Sequence, residues 1–195
     1  MRRIVTGLAL VALAGHWALA ENESAPKYAF TLKDQTGADV SLKDFAGKIV
    51  VLEWVNPECP TVVRHYKAAT MKKLAEKYKD KDVVWLAVNT THTFTPEKNK
   101  AFHDQHELPY PVLDDSAGKV GKMFGAKATP HLFILDKEGK LVYNGAIDDD
   151  PSGKKTTEGK PTVNYVQQAL DELLAGKAVS QPQTKPYGCS VKYAS

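Results

Sequence analysis

Cysteine is nearly missing from this sequence: Cys59 and Cys189 are the only two in 195 residues. Two cysteines cannot build a disulfide scaffold, so the fold has to come from a hydrophobic core. With 43% hydrophobic residues, the chain is long enough to bury one. Arginine is scarce as well, and beyond residue 20 Arg64 stands alone. No basic cluster interleaved with aromatics occurs, which argues against a nucleic-acid surface. Acidic residues are absent from the first twenty positions, where two of the 26 basic ones lie. The remainder carries 24 basic and 23 acidic side chains, a net of +1. Past residue 20 no apolar run reaches the ~20 residues that span a bilayer. Internal repeats and a dividing linker are absent too.

The first pattern that is present lies at the start. Arg2 and Arg3 precede a mostly apolar Ile4–Leu19, which ends in the small-residue run Ala18-Leu19-Ala20. This order predicts a cleaved secretory signal peptide over residues 1–20, too short and too interrupted by His16 for a membrane anchor. The expected location is therefore secreted or periplasmic. Residues 21–176 are expected to form one domain and residues 177–195 a tail carrying Cys189. Two cysteines in an oxidising compartment can pair and stay paired.

After a polar lead-in, "YAFTLKDQTGADVSLKDFAGK" predicts two short strands around Thr36-Gly37. "KIVVLEWV" (48–55) is a nearly continuous apolar run, the pattern of a strand covered on both faces. A helix is expected from Pro60 to about Tyr78, with Val63, Met71, Leu74 and Tyr78 on one face. "DVVWLAV" (82–88) predicts a second buried strand. A helix opening at Thr95-Pro96-Glu97 follows, ending before Pro109. A short strand at Val112-Leu113 and a small helix from Ser116 to Phe124 come next. "HLFILD" (131–136) and "LVYNGAI" (141–147) read as a hairpin, 148–161 as a polar loop, and 162–176 as an amphipathic helix closed by Gly176. The order predicts an α/β fold with a parallel central segment, helices on both faces and antiparallel strands at one side.

Cys59 falls where a central strand ends and a helix begins. Helix N-termini present unpaired N–H groups and a positive partial charge, which favour the reactive thiolate. Pro60 suits the first helical position, and Thr61 offers an amide and a hydroxyl. Glu58 opposes them, since an adjacent negative charge raises a thiol pKa. The alternative is a cysteine that packs as a small hydrophobe.

At these residues the sequence resembles a thioredoxin-fold redoxin of the alkyl hydroperoxide reductase/thiol-specific antioxidant, or peroxiredoxin-like, family. The likeness covers about residues 26–175 and rests on "FTLKDQTGADVSLKDFAGKIVVLEW", "CPT" at 59–61 and "ATPHLFILDKEGKLVYNGAID" at 128–148. It implies a thioredoxin-like fold, a central mixed sheet with helices on both faces and an N-terminal β-hairpin extension. It also implies that Cys59 is catalytic, and that Pro130, preceded by Thr129, is a cis proline packed beside it. The ending "TKPYGCSVKY" is similar to that of a secreted subgroup, which implies Cys189 as resolving or partner cysteine. The chain departs from relatives in three ways. Asn56 stands where a thioredoxin has its first cysteine, so the CxxC pair is absent. Asn56 and Leu52 replace the threonine or serine and the proline that precede a peroxidatic cysteine. Arg64 lies five positions along the same helix, at about 100° per residue, off the Cys59 face, and lysine lacks the planar fork to substitute for a thiolate-holding arginine.

Other candidates are weaker. His103 and His106 lack a third ligand for a metal. His131 beside Pro130 raises a Cys–His copper site, but the CxxxC pair of copper-assembly redoxins is missing. Asp148, Asp149 and Asp150 do not match a calcium loop, and Tyr187 and Tyr193 read as packing for the tail. Asn22-Glu23-Ser24 and Asn89-Thr90-Thr91 fit the glycosylation pattern, which is short. The expected site is Cys59, Cys189, Thr61, Thr129 and Pro130, with no cofactor and no metal. The function expected is a thiol oxidoreductase. It would reduce peroxides or exchange protein disulfides, with an external thiol or dithiol as reductant and no nucleic-acid partner. A purely structural Cys59–Cys189 bridge and a copper-binding redoxin stay open as alternatives. Oligomeric state is not legible in the sequence.

Overall fold

The computed structural model describes residues 27–194. The expected signal peptide, residues 1–20, lies outside them, as does Asn22. Two apolar runs make the centre of the sheet: β3 (Ile49–Val55) and β4 (Val83–Asn89), parallel and in register from Ile49↔Val83 to Val55↔Asn89. Their β-branched and aromatic side chains suit a pleated surface covered on both sides. Beyond β4 lies β5 (Val112–Asp114), parallel to it, and then β1 (Thr31–Lys33) and β2 (Asp39–Ser41), both antiparallel to their neighbours. On the other side of β3 runs β7 (His131–Leu135), antiparallel, with β8 (Leu141–Gly145) completing the hairpin. The seven-stranded order is β2-β1-β5-β4-β3-β7-β8. No helix among the described residues is long and apolar enough to cross a membrane.

Period-2 alternation sends β3 into two cores. Ile49, Val51 and Val55 face a layer made by α1 (Pro60–Lys67), α2 (Thr70–Tyr78), α3 (Pro96–Gln105) and α6 (Tyr165–Leu174). Val50, Leu52 and Trp54 face α4 (Lys119–Phe124) and the N-terminal segment at Tyr28. Each such side chain contributes roughly 1.5–3 kcal/mol by leaving water. The caps match the sequence cues: Thr95 Oγ1 accepts from the Lys98 amide and Asn164 Oδ1 from the Gln167 amide.

Two expectations are corrected. The helix expected over 60–78 breaks at Ala68-Ala69, where Ala69 adopts a left-handed φ of 54°. The break slips the helical phase, so Val62 and Tyr66, rather than Val63, share the buried face with Met71, Leu74 and Tyr78. No glycine or proline marks that break, and apolar spacing alone ran through it. The loop at 148–161 contains a short helix, α5 (Lys154–Thr157), whose amides are held by the Asp150 carboxylate.

The tail also gains structure that periodicity could not show. Residues 189–190 form β9 (Cys189–Ser190), which pairs antiparallel with β6 (Ala128–Thr129) in a separate two-stranded sheet, with Thr129 opposite Cys189.

Candidate functional site

The carboxyl end of β3 and the start of β7 lie side by side, with Trp54 opposite His131. That register places the turn after β3 next to the segment before β7, so Cys59 meets Thr129. The Thr129–Pro130 bond between them is cis. Cys59 itself is the extended N-cap of α1, with Pro60 at the first helical position. Its amide bonds to the Asn56 carbonyl (2.9 Å), and the Asn56 side chain accepts from the Glu58 amide (2.9 Å). A CxxC pair counted forward from Cys59 would end on Val62, which is fully buried in the first turn.

The thiol is only 1% exposed. Its Sγ donates to the Thr129 carbonyl (3.1 Å), and the Thr129 hydroxyl donates to the Cys189 carbonyl (3.3 Å). Burial pushes the Cys59 pKa up. The Cys189 thiol, the Val62 and Cys189 amides and the Thr129 hydroxyl outweigh it and bring the value down to about 7. The acting helix amide is thus Val62, one residue beyond Thr61, and it stops short of a full capping hydrogen bond. Cys189 moves the other way, to about 11, through burial and through the neighbouring Cys59. The pair divides labour: one sulfur is poised as thiolate and the other holds its proton. Both are free thiols.

An expected result follows from this pairing. Alkylation of Cys59 by iodoacetamide, located by mass spectrometry, should show a midpoint near pH 7. In Cys189→Ala the midpoint should rise, because the thiol that donates to the thiolate is gone. A midpoint unmoved by that change would remove Cys189 from the thiolate's environment.

The tail is fixed at several points besides β9. Asn144 of β8 bonds the Pro182 carbonyl and the Thr184 amide through its backbone. The Tyr187 hydroxyl donates to Asp148 and lies 3.1 Å from His65 Nε2. Past Cys189, the Val191 amide reaches the Lys127 carbonyl and the Tyr193 hydroxyl the Ala126 carbonyl. Gly188, at φ 115°, presses so closely on the Thr129 carbonyl that an added Cβ would overlap its oxygen. Arg64 turns to this side, donating to the Asp150 carbonyl (2.9 Å).

Other candidates resolve into structure. His131 accepts the Lys127 amide at Nδ1 and meets Asn144 Oδ1 at Nε2 (2.7 Å). Both nitrogens are engaged in hydrogen bonds, and burial lowers the ring's pKa to about 4. No group of three or more metal-ligating side chains occurs among the described residues. Asp148, Asp149 and Asp150 bond to protein donors: the Tyr187 hydroxyl, Lys155, the Val163 amide and the Thr156 amide. Asn89 is buried in β4, its amide bonded to Asn99, which argues against glycosylation there.

Sequence reasoning passed over Glu53. It sits in the middle of β3, 0% exposed, with Oε2 accepting from Trp85 Nε1 (2.9 Å). Burial pushes its carboxyl up to about 8, against hydrogen bonding from Trp85 and Tyr66. Its Oε1 and the hydroxyls of Tyr66 and Tyr110 are buried without a well-formed partner. The signal was one acid inside an apolar run of seven.

Comparison with known proteins follows the same lines. The AhpC/TSA family matches residues 22–144. A protein named thiol-disulfide oxidoreductase ResA, from Bacillus thuringiensis subsp. konkukian, is 34% identical over 113 residues, 58% of this chain and 63% of that protein. Chloroplastic peroxiredoxin Q of Suaeda salsa is 33% identical over 139 residues, 66% of this chain and 63% of its own. The chain thus spans a little under two thirds of these relatives. Among solved structures, a hypothetical protein of Sinorhizobium meliloti 1021 superposes with a TM-score of 0.77 at 29% identity, covering 87% of this chain and 93% of the other.

Proposed function

The chain belongs to the AhpC/TSA family, and from that premise we propose that it is an exported, peroxiredoxin-like thiol oxidoreductase acting through Cys59, with Cys189 as resolving partner. The observation that supports this most is the pairing of Thr129 with Cys189 directly against the Cys59 sulfur. Relatives named for disulfide exchange and for peroxide reduction bracket the chemistry. In the peroxide reaction the Cys59 thiolate attacks one oxygen, the O–O bond breaks, and the departing oxygen takes a proton to leave as water or alcohol. The resulting sulfenic acid condenses with Cys189, releasing water and forming a disulfide, which an external dithiol reduces. The Cys189 thiol and the Val62 amide favour the anionic sulfur, while Pro130 and Thr129 hold the backbone beside it. Export rests on the pattern of residues 1–20, and residues 21–176 and 177–195 are the proposed domain and tail.

The test is peroxide consumption by purified protein lacking residues 1–20. With a dithiol present, continuous turnover is expected, and without it one equivalent per chain. Cys59→Ser should lower the rate by roughly two orders of magnitude or more. Equal consumption by that variant would refute the reading.

The burial of Cys59 favours one second reading, a Cys59–Cys189 staple without catalysis. A reduction potential below about −300 mV would identify such a staple, whereas a catalytic bridge reduces more easily.

A further inference from the structure

β6 is only two residues long, and β9 is its partner in the small sheet. A short strand edge beside a reactive sulfur is where an extended peptide can add itself by backbone pairing. Here that edge is already filled. Cys189 stands opposite Thr129, Gly188 lies flat on the Thr129 carbonyl, and Tyr187 inserts between His65 and Asp148. On the far side Val191 and Tyr193 bond to Lys127 and Ala126. The tail thus lies across the site as an extended substrate would, its own cysteine at the place of the substrate's cysteine.

We propose that β9 occupies the docking edge that Cys59 would otherwise offer to an extended peptide disulfide, which restricts the reduced chain to small oxidants of hydroperoxide size. A two-oxygen molecule needs only a local movement of the half-buried Cys189 side chain. A peptide needs residues 187–191 to leave. Once they leave, the exchange step balances. The Cys59 thiolate attacks a substrate sulfur, the substrate S–S bond breaks, and one half departs as thiolate. Cys189 then displaces the other half on its return, leaving the chain oxidised and the peptide disulfide reduced. The inference rests on Cys59 being the reactive thiol of the proposed function.

Gly188→Ala provides the test, because its Cβ overlaps the Thr129 carbonyl and forces β9 off β6 without deleting a residue. Rates of Cys59 modification are read by mass spectrometry for two oxidants at alkaline pH, where the thiolate is formed in both proteins. One oxidant is hydrogen peroxide. The other is a short extended peptide whose cysteine is a mixed disulfide with nitrothiobenzoate. The ratio of peptide rate to peroxide rate should rise at least tenfold in Gly188→Ala. Should that variant not fold, Tyr187→Ala, which removes the tail's hold on Asp148 and His65, takes its place. An unchanged ratio with peroxide reactivity retained overturns the inference alone. Cys59 inert to both oxidants in every protein overturns the proposed function along with it.

Discussion

Reduced Cys189→Ser protein given one equivalent of peroxide is expected to hold a sulfenic acid on Cys59, whereas the unsubstituted chain closes a disulfide and shows none. The Cys189 thiol neighbours the Cys59 sulfur beside the Thr129 pair, so the wild-type acid has a thiol at hand to condense with. A serine hydroxyl cannot do this. The trapped acid should react with dimedone, and excess peroxide should carry it on to the sulfinic state. Stability is expected to separate the proteins as well. Closing a loop of ~130 residues restricts the unfolded chain by up to about 5 kcal/mol in the chain-entropy model. Oxidised wild type should gain part of that, and Cys189→Ser none. A dimedone adduct equally abundant in both proteins would show that Cys189 does not resolve.

Glu53→Gln is expected to make the protein more stable at alkaline pH while changing it little at pH near 5. The folded chain holds the Glu53 proton up to about pH 8, but the unfolded chain releases it near the ordinary value of 4.5. Between those values the native state binds the extra proton, so native stability falls as pH rises, and it levels off above about 8. The gap sets an upper bound of about 5 kcal/mol on the loss. Glutamine keeps the shape, can still accept from Trp85, and does not titrate. Urea unfolding of both reduced proteins at several pH values reads the difference. A gap between the two curves that stays constant with pH would mean that Glu53 does not carry a proton in the fold.

The central strands, the small α4 and the β7–β8 hairpin were legible because apolar runs and turn residues announce them. Cys59 at the head of a helix was legible for the same reason, since Pro60 marks a first turn. The place of Cys189 was suggested by likeness, and its contact with Thr129 was not readable from pattern. Two residues of strand have no period, and a pairing between positions 129 and 189 leaves no local trace. The kink at Ala69 was hidden because alanine is an ordinary helix former. Glu53 was hidden because a single acid in a strand is read as a pause in hydrophobicity, and its neighbours Tyr66, Trp85 and Tyr110 come from three other parts of the chain. The sole arginine past residue 20 was visible in the sequence, but its grip on the Asp150 loop was not.

The small sheet also imposes an order on biosynthesis. A chain synthesised from its amino end presents β3, Cys59, Pro130 and the β7–β8 hairpin well before residues 188–193 emerge. During that interval the nascent protein holds the β6 edge without β9 and the Cys59 thiol without Cys189. The site that the folded protein keeps covered is therefore open once in its lifetime by default, until residues 188–193 have been made and have paired with β6.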